Sequence, residues 1–188
     1  CIRDRAYIVA PDMERSATSM ALTLHHPIRA RKVDEGTYCV SGTPCDCVYM
    51  AVQHILPRKP DLLVSGINPG PNLGQQDVSY SGTVAGAFQG GFLKIPSMAV
   101  SLFPDKEGNI FFDFASEIAL SIAKEWMKNR PEANFVLNIN VPPPPVKGIK
   151  LTRLGQKRYN PEIIAKKDPR NRDYYWVGTG IPKPIGDA

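Results

Sequence analysis

The residues best suited to chemistry in this sequence lie in a run rich in glycine and asparagine, SGINPGPNLG, at positions 65–74. The run contains Asn68 and Asn72 but neither Lys nor Arg. Amide oxygens are hard, neutral donors of the kind that Mg²⁺ and Mn²⁺ accept, and glycines such as Gly66 let the backbone approach a ligand closely. The composition also fits a plain structural turn, because Gly, Pro and Asn are the common residues of connectors.

The segments on either side of this run predict where it lies. Residues 60–64 form a short apolar, β-type stretch that indicates a buried strand. After the run, Tyr80, Ser81, Gly82 and Thr83 open a segment with helical character. Ligands bind at the carboxyl ends of strands in open α/β sheets, and helix N-termini attract anions. The sequence therefore favours a ligand site between the strand end and the start of this helix.

A second polar loop follows the first predicted strand, at residues 10–17. Asp12, Glu14 and Ser16 supply oxygen donors, and Arg15 could hold a phosphate or an internal carboxylate. In a parallel sheet this loop would fall on the same edge as the Asn68 loop. Ordinary turn chemistry explains these residue types equally well when the loop is considered alone.

Strands and helices alternate along the chain, which predicts an α/β fold with a mainly parallel sheet. Strands are expected at 7–10, 28–33, 37–40, 60–64, 97–101 and 135–139, and helices at 43–57, 81–92 and 111–128. The second and third strands should form an antiparallel hairpin. A proline run at 142–145 is a rigid boundary. It separates a core at 1–141 from an extension at 142–188, in which 149–154 and 174–177 are expected to be strands.

Composition limits the class of protein. The chain of 188 residues is 43% apolar, which suits a single domain with a real core, and no run approaches the length of a membrane span. The four cysteines lack the spacing of a zinc or redox pair, so free thiols in a reducing compartment, the cytoplasm, are expected. The net charge of +5 favours phosphorylated or polyanionic partners, although basic residues gathered late in the chain also fit a solvated arm.

A series of spaced motifs runs through nearly the whole chain in a fixed order. The motifs are VAPDMERS at 9–16, SMALTLH at 19–25, GTPCDCV at 42–48, PDLLVSGIN at 60–68, GPNLG at 70–74, YSGTV at 80–84 and IPSMAVS at 95–101. Weaker motifs continue at 138–142, 151–153 and 175–176. In this order they resemble the SurE family, the stationary-phase survival proteins. Such a series is highly specific.

The resemblance implies a Rossmann-like three-layer fold and a metal-dependent phosphatase of nucleoside 5′- and 3′-monophosphates, with some activity on short polyphosphate. By position, the Ser16 hydroxyl and the Asn68 amide oxygen would bind the divalent cation, Mn²⁺ or Mg²⁺. The catalytic and phosphate-binding set would be Gly66, Asn68, Asn72, Ser81, Gly82 and Thr83. The resemblance also implies a homodimer or homotetramer, with the extension as an oligomerisation arm, and no membrane or nucleic-acid partner.

The chain departs from the family pattern at both ends. The family begins with a strand ending in Asn-Asp-Asp-Gly, whose twin aspartates bind the metal, and it continues with further strands after the motif that matches Tyr175-Trp176. Neither feature has a match here, so the chain is expected to be truncated. It is interpreted as a fragment of a working phosphatase; a short form that lost catalysis and binds nucleotide or a partner is the alternative. A missing inner strand predicts that the chain alone is unstable or prone to aggregation.

Three rival interpretations rest on other residues. A histidine base or nucleophile would use His25, His26 or His54, but adjacent histidines do not share a face. A basic nucleic-acid-binding module would stack bases on Tyr159, Tyr174, Tyr175 or Trp176, which strand packing explains equally well. A dinucleotide-binding protein is disfavoured, because the Gly-x-Gly-x-x-Gly fingerprint is absent from the sequence.

Overall fold

The computed structural model describes residues 6–129, 132, 134–178 and 183–184. Its strands are β1 (Ile8–Pro11), β2 (Ala30–Asp34), β3 (Thr37–Val40), β4 (Leu63–Asn68), β5 (Ser97–Leu102), β6 (Val136–Val141), β7 (Lys157–Arg158), β8 (Ile163–Lys167), β9 (Asp173–Val177) and β10 (Lys183–Pro184). The helices are α1 (Pro44–Met50), continued by a π-helical turn (Ala51–Ile55), α2 (Gln75–Tyr80), α3 (Gly82–Phe92) and α4 (Phe112–Lys128).

The central strand β5 explains the three-layer core. Every residue of β5 is buried, and β5 pairs in parallel with β4 on one side and β6 on the other. Since successive side chains of a strand point to opposite faces, Ala99 packs against Val84 and Ala87 of α3, while Met98 and Val100 pack against Ala119 of α4. Helices thus cover both faces of a parallel sheet, as expected for the predicted Rossmann-like α/β class.

A second sheet has the order β1-β3-β2, with β1 parallel and β2 antiparallel to β3. The predicted hairpin of β2 and β3 is therefore confirmed. Helix α1 packs against both β1 and α3, so one helical layer spans the two sheets. Within the described ranges no strand hydrogen-bonds across from this sheet to the central one, which leaves β1 and β4 as edges.

The start of α1 follows the predicted capping pattern. The Thr43 hydroxyl accepts from the backbone N–H of Asp46, and the Asp46 carboxylate accepts from the backbone N–H of Thr43. The same first turn buries two free thiols, Cys45 and Cys47. Burial, together with the nearby charge of Asp46, raises the pKa of Cys45 to about 11 and that of Cys47 to about 12. Both thiols therefore stay protonated at neutral pH.

Several predicted elements differ from the structure. β4 begins at Leu63 and continues through Gly66 to Asn68, because it pairs with β5 along this stretch. The predicted strand at 149–154 is wrong: the segment has no strand partner, and Leu151 is 93% exposed. The spacer before Ser81 forms the short helix α2, and β8 was not predicted.

The extension carries an exposed hairpin. β8 and β9 pair antiparallel, and every residue of both strands is exposed, including Ile163, Tyr175 and Trp176. Isolated two-stranded hairpins are marginal in water. None of the helices in the described part of the chain has the length and apolar character needed to cross a bilayer.

Candidate functional site

A cavity of about 600 Å³ lies at the carboxyl edge of the central sheet. It brings together most of the residues predicted as a site, namely Ser16, Asn68, Asn72, Ser81 and Gly82. The other predicted members, Gly66 and Thr83, do not line it. Two loops that are about 50 residues apart in the sequence thus meet at one edge, which is where parallel α/β sheets place their ligands.

The loop that carries Ser16 is attached to the end of α2. The Ser19 hydroxyl donates to the carbonyl of Ser79 at 2.7 Å, and the Ser19 backbone N–H donates to the carbonyl of Tyr80 at 3.1 Å. Arg15 pairs with Asp12 at 3.1 Å, so of its two predicted roles it holds an internal carboxylate. These contacts place Ser16 beside the start of α3.

Asp46 holds the other end of the same loop. Its carboxylate accepts from the Thr23 hydroxyl at 2.6 Å and from the Thr23 backbone N–H at 3.1 Å, and the Thr43 hydroxyl donates to the carbonyl of Ala21 at 2.7 Å. Burial would raise the pKa of Asp46, but hydrogen bonds from Thr23 and Thr43 outweigh burial and lower it. Asp46 is therefore a buried anion that fastens the loop to α1.

Asn72 is fixed by the neighbouring strands of the sheet. Its side-chain amide donates to the Ser101 hydroxyl of β5 at 2.7 Å. Its backbone N–H donates to the side-chain oxygen of Asn140 at 2.8 Å, and its carbonyl accepts from the side chain of Asn138 at 2.8 Å. Asn72 is only 4% exposed. β5 and β6 therefore hold the loop between β4 and α2 in one position.

Asn68 ends β4 at the cavity. Its side-chain NH₂ donates to the carbonyl of Gly70 at 2.6 Å, and its amide oxygen makes no hydrogen bond to another described residue. Two positions earlier, Gly66 has φ of +126°, and a Cβ there would collide with the carbonyl oxygen of Val100. Gly66 thus sets the path of β4 against β5 and acts on the site through the placement of Asn68.

The N-terminus of α3 points into the cavity. The Ser81 hydroxyl caps the helix by accepting from the backbone N–H of Val84 at 3.2 Å. The backbone N–H groups of Gly82 and Thr83 donate to no other described residue, and Gly82 lines the cavity. A Cβ on Gly82 would lie 2.9 Å from Cγ of Pro44 and 3.3 Å from the Thr18 hydroxyl. Free amides at a helix N-terminus form an anion-binding site.

Asp77 connects the cavity to the extension. It is 8% exposed, and its carboxylate accepts from the Gly74 backbone N–H at 2.9 Å, from the Tyr159 hydroxyl, and from Lys157 Nζ at 3.4 Å. Burial and the hydrogen bond to Asp77 raise the pKa of Tyr159, so its hydroxyl remains a donor. Burial alone would lower the pKa of Lys157, but Tyr159 and the charge of Asp77 raise it. We call Asp77, Lys157 and Tyr159 the tyrosine clamp.

The oxygen atoms that line the site are of the chemical types that bind a hard cation. Ser16 and Asn68 both line the cavity, and hydroxyl and amide oxygens suit Mg²⁺ or Mn²⁺. The Ser16 hydroxyl itself donates to Glu14 at 2.7 Å, which brings a carboxylate next to it. No cluster of three or more His, Cys, Asp or Glu side chains occurs within the described ranges. The described oxygen donors at the cavity are thus a hydroxyl and an amide oxygen, with the Glu14 carboxylate beside the hydroxyl.

Sequence reasoning missed the part of the cavity that comes from the extension. Tyr159, Pro161, Val177 and Gly178 line it together with Asn72 and Ser81. The extension reaches the cavity through a bridge between Gly74 and Gly155. The aromatic residues of the extension were visible in the sequence, but no local pattern predicts which of them contacts a loop about 80 residues earlier.

Comparison with known proteins identifies the family. The family profile described as "Survival protein SurE" matches residues 2–161. A protein named 5′-nucleotidase SurE from Anaeromyxobacter sp. (strain Fw109-5) is 47% identical over 176 residues, covering 93% of this chain and 68% of that protein. This chain belongs to the SurE family.

Further SurE proteins agree with this assignment. A 5′-nucleotidase SurE from Pelobacter propionicus is 46% identical over 176 residues, covering 92% of this chain and 70% of that protein. The crystal structure of a SurE protein from Aquifex aeolicus superposes with a TM-score of 0.76 at 39% identity, covering 94% of this chain and 73% of that one. The SurE structure therefore confirms the predicted Rossmann-like fold along with the family.

Proposed function

We propose that this chain is a phosphomonoesterase that hydrolyses nucleoside 5′-monophosphates to nucleoside and phosphate. The observation that carries the proposal is the cavity that joins Asn68 and Asn72 to the N-terminus of α3. Membership of the SurE family supports it, since the relatives compared above are named 5′-nucleotidases. In the reaction, water adds to phosphorus, the bond from phosphorus to the 5′ oxygen breaks, and that oxygen leaves with a proton as the nucleoside hydroxyl.

The chain's own residues would bind and orient the phosphate. The free N–H groups of Gly82 and Thr83 would donate to phosphoryl oxygens, with the positive end of the α3 dipole adding attraction. Fixed backbone donors stabilise the charge that builds on these oxygens in the transition state. Asn72, held by Ser101 and Asn140, keeps the adjacent loop in place without reorganisation during the reaction.

We also propose that activity requires a divalent cation, Mn²⁺ or Mg²⁺, to which the Ser16 hydroxyl and the Asn68 amide oxygen contribute. When bound, such a cation would neutralise phosphoryl charge and promote ionisation of a water molecule. The uncommitted amide oxygen of Asn68 supports this role. The Ser16 hydroxyl donates its proton to Glu14, which leaves the lone pairs of its oxygen for the cation.

The test is release of phosphate from AMP and GMP by the chain, with Mn²⁺, with Mg²⁺ and with EDTA. Release that EDTA abolishes is the expected result. Removing one oxygen ligand or transition-state donor costs about a hundredfold in turnover, so Asn68→Ala and Ser16→Ala should each lower metal-dependent turnover by roughly that factor. The controls are Asn109→Ala and Ser116→Ala, two exposed positions outside the cavity lining.

Two outcomes would contradict these proposals separately. Turnover that is unchanged in both Asn68→Ala and Ser16→Ala would overturn their assignment as cation ligands. Absence of phosphate release from either nucleotide with either metal would overturn the nucleotidase proposal itself. The proposal extends to 3′-monophosphates and short polyphosphate, which rest on the family resemblance and are assayed in the same way.

We further propose that the chain assembles as a homodimer or homotetramer through the extension at 142–188, while 1–141 forms the catalytic core. The support is the β8–β9 hairpin, where Tyr175 is 63% and Trp176 is 62% exposed. A second copy would cover this apolar surface, which a hairpin cannot bury by itself.

A reducing compartment, the cytoplasm, is the proposed location. Cys39, Cys45 and Cys47 are free thiols, which is the state that a reducing compartment maintains.

A further inference from the structure

The extension lies along the loop between β4 and α2 as a short strand-like segment. The Gly155 backbone N–H donates to the carbonyl of Leu73 at 2.9 Å, and the Gln75 backbone N–H donates to the carbonyl of Gly155 at 2.9 Å. The Tyr159 backbone N–H donates to the side-chain oxygen of Gln76 at 2.9 Å. Residues 155–159 are therefore fixed to the segment that runs from Leu73 into α2.

The ring of Tyr159 is held from two directions. Its hydroxyl donates to the buried carboxylate of Asp77, and Lys157 Nζ lies 5.0 Å from the ring centroid, within the range of a cation–π contact. Lys157 also pairs with Asp77 at 3.4 Å. The phosphate chemistry described above uses none of these three groups. Asp77 caps α2 through the Gly74 backbone N–H, and the same buried carboxylate also fixes the Tyr159 ring at the cavity.

The lining of the cavity has two chemical characters. One part is polar and suits a phosphate: Ser16, Asn68, Asn72, Ser81 and Gly82. The other part is aromatic and apolar: Tyr80, Tyr159, Pro161 and Val177. A volume of about 600 Å³ is much larger than a phosphate group needs and is typical of pockets for whole small molecules. The cavity therefore has space for the remainder of the substrate beside the residues that suit a phosphate.

We propose that Tyr159 is the platform on which the nucleobase of the substrate stacks, and that Asp77 and Lys157 are positioning residues that fix its ring. This inference rests on the proposed nucleotidase function and adds the basis of its preference for nucleotides over phosphates that lack a base. Bases stack on aromatic side chains with little regard to their identity, because every base has a π face. The tyrosine clamp would therefore favour substrates that carry a base over those that lack one, with little discrimination between bases.

The test compares two substrates that share the phosphorylated ribose: AMP, and ribose 5-phosphate, which lacks the base. Tyr159→Leu removes the π face at similar bulk, and Tyr159→Phe keeps it. Loss of one stacking contact weakens binding by about tenfold to a hundredfold. Tyr159→Leu should therefore raise KM for AMP by that factor with little change in kcat, and leave ribose 5-phosphate unaffected. Tyr159→Phe should retain most of the preference.

Asp77→Asn tests the positioning role. It keeps the size of the side chain but removes the charge that holds Lys157, so the ratio of kcat/KM for AMP to that for ribose 5-phosphate should fall to a value between those of Tyr159→Phe and Tyr159→Leu. If Asp77 had a purely structural role, the substitution would lower kcat/KM equally for both substrates and leave the ratio unchanged. Tyr49→Ala is the control, because Tyr49 is a partly exposed tyrosine of α1 that does not line the cavity.

The outcomes separate this inference from the function on which it rests. Equal losses on both substrates in Tyr159→Leu, or no loss on either, would overturn the stacking role while the nucleotidase function stands. If the unaltered chain hydrolyses neither substrate, the proposed function fails, and calorimetric binding of AMP then decides the inference. Binding weakened by Tyr159→Leu and retained by Tyr159→Phe would support it, and equal affinity in both variants would overturn it.

Discussion

Asp46 shows how one buried side chain can position a loop that has no regular structure. Residues 12–29 contain no helix or strand, yet Ser16 lies at the cavity because the loop is attached at both ends of its path. Asp46 accepts from Thr23 at one attachment and from Thr43 at the start of α1. Because Thr43 is buried and Thr23 is half-buried, the carboxylate acts as an acceptor that a neutral side chain cannot fully replace.

Asp46→Asn should therefore destabilise the fold by about 2 kcal/mol at pH 7, since an amide NH₂ would face donors instead of accepting from them. The hydrogen bonds lower the pKa of Asp46 in the folded state. The contribution of the ionised Asp46 carboxylate to the free energy of unfolding is thus fully present above the ordinary aspartate pKa. It is lost as the pH falls from there through the lowered pKa of the folded state. Urea unfolding at pH 7, 4 and 3 measures both effects.

In the variant the dependence of stability on pH across this acid range should be smaller than in the unaltered chain. Asp113→Asn is the control, because Asp113 is exposed in the first turn of α4. Its effect at pH 7 should stay within about 0.5 kcal/mol. An equal loss in the two variants, or an unchanged acid dependence in Asp46→Asn, would contradict the role assigned to Asp46.

At the scale of elements, the path of β4 places Asn68. A β-strand normally keeps φ negative, but Gly66 adopts a φ of +126° where the backbone of Val100 approaches it. The pairing of β4 with β5 shifts its register between Ser65 and Asn68. Asn68, the last residue of the strand, lines the cavity directly after this break.

Gly66→Ala should destabilise the fold by about 3 kcal/mol or more, from the strained φ together with the collision against Val100. Displacement of Asn68 should also lower phosphatase turnover. Gly108→Ala is a matched control, since Gly108 has φ of +86° but nothing within 4 Å of an added Cβ. The free energy of unfolding of Gly108→Ala should fall by only about 1 kcal/mol, from the backbone strain alone. Urea midpoints that fall equally in the two variants would rule out the collision as the cause.

Elements set by local chemistry were predictable from the sequence. The Thr43 cap, the stripe of α4 and the apolar β5 depend on residues near one another in the chain, and all three were located within a residue or two. The extent of β4 and the absence of the strand predicted at 149–154 depend on whether a neighbouring strand supplies a hydrogen-bonding partner. Asn68 and Asn72 were predicted as site residues by motif. Tyr159 instead reaches the cavity through its hydrogen bonds to the side chains of Gln76 and Asp77, which no local pattern encodes.

At the scale of the whole molecule, the main feature is exposed apolar surface on strands of the described chain. β1 and β4 are edge strands on which Ile8 is 58% and Val64 is 50% exposed, and the β8–β9 hairpin adds Trp176 and its neighbours. Exposed apolar edges promote association between chains. The expectation that the chain alone is unstable or prone to aggregation remains a prediction, and a cooperative melt with an ordinary midpoint would count against it.

Self-association should depend on the hairpin. Trp176→Lys places a charge on the exposed apolar surface of β9 and should shift the chain from dimer or tetramer toward monomer in light scattering coupled to size-exclusion chromatography. Leu120→Lys is the control, because Leu120 is a similarly exposed apolar residue of α4, at 55%. A monomeric unaltered chain, or dissociation by the α4 variant alone, would contradict assembly through the extension.

The reactivity of the two buried thiols of α1 also reports how often the protein opens. With pKa values raised to about 11 and 12, Cys45 and Cys47 react with alkylating reagents at neutral pH only while the first turn of α1 is exposed to solvent. The rate at which mass spectrometry finds these two positions labelled therefore counts transient openings of the protein. A nucleotide that occupies the neighbouring cavity would slow that rate, so ligand binding can be followed without any catalytic turnover.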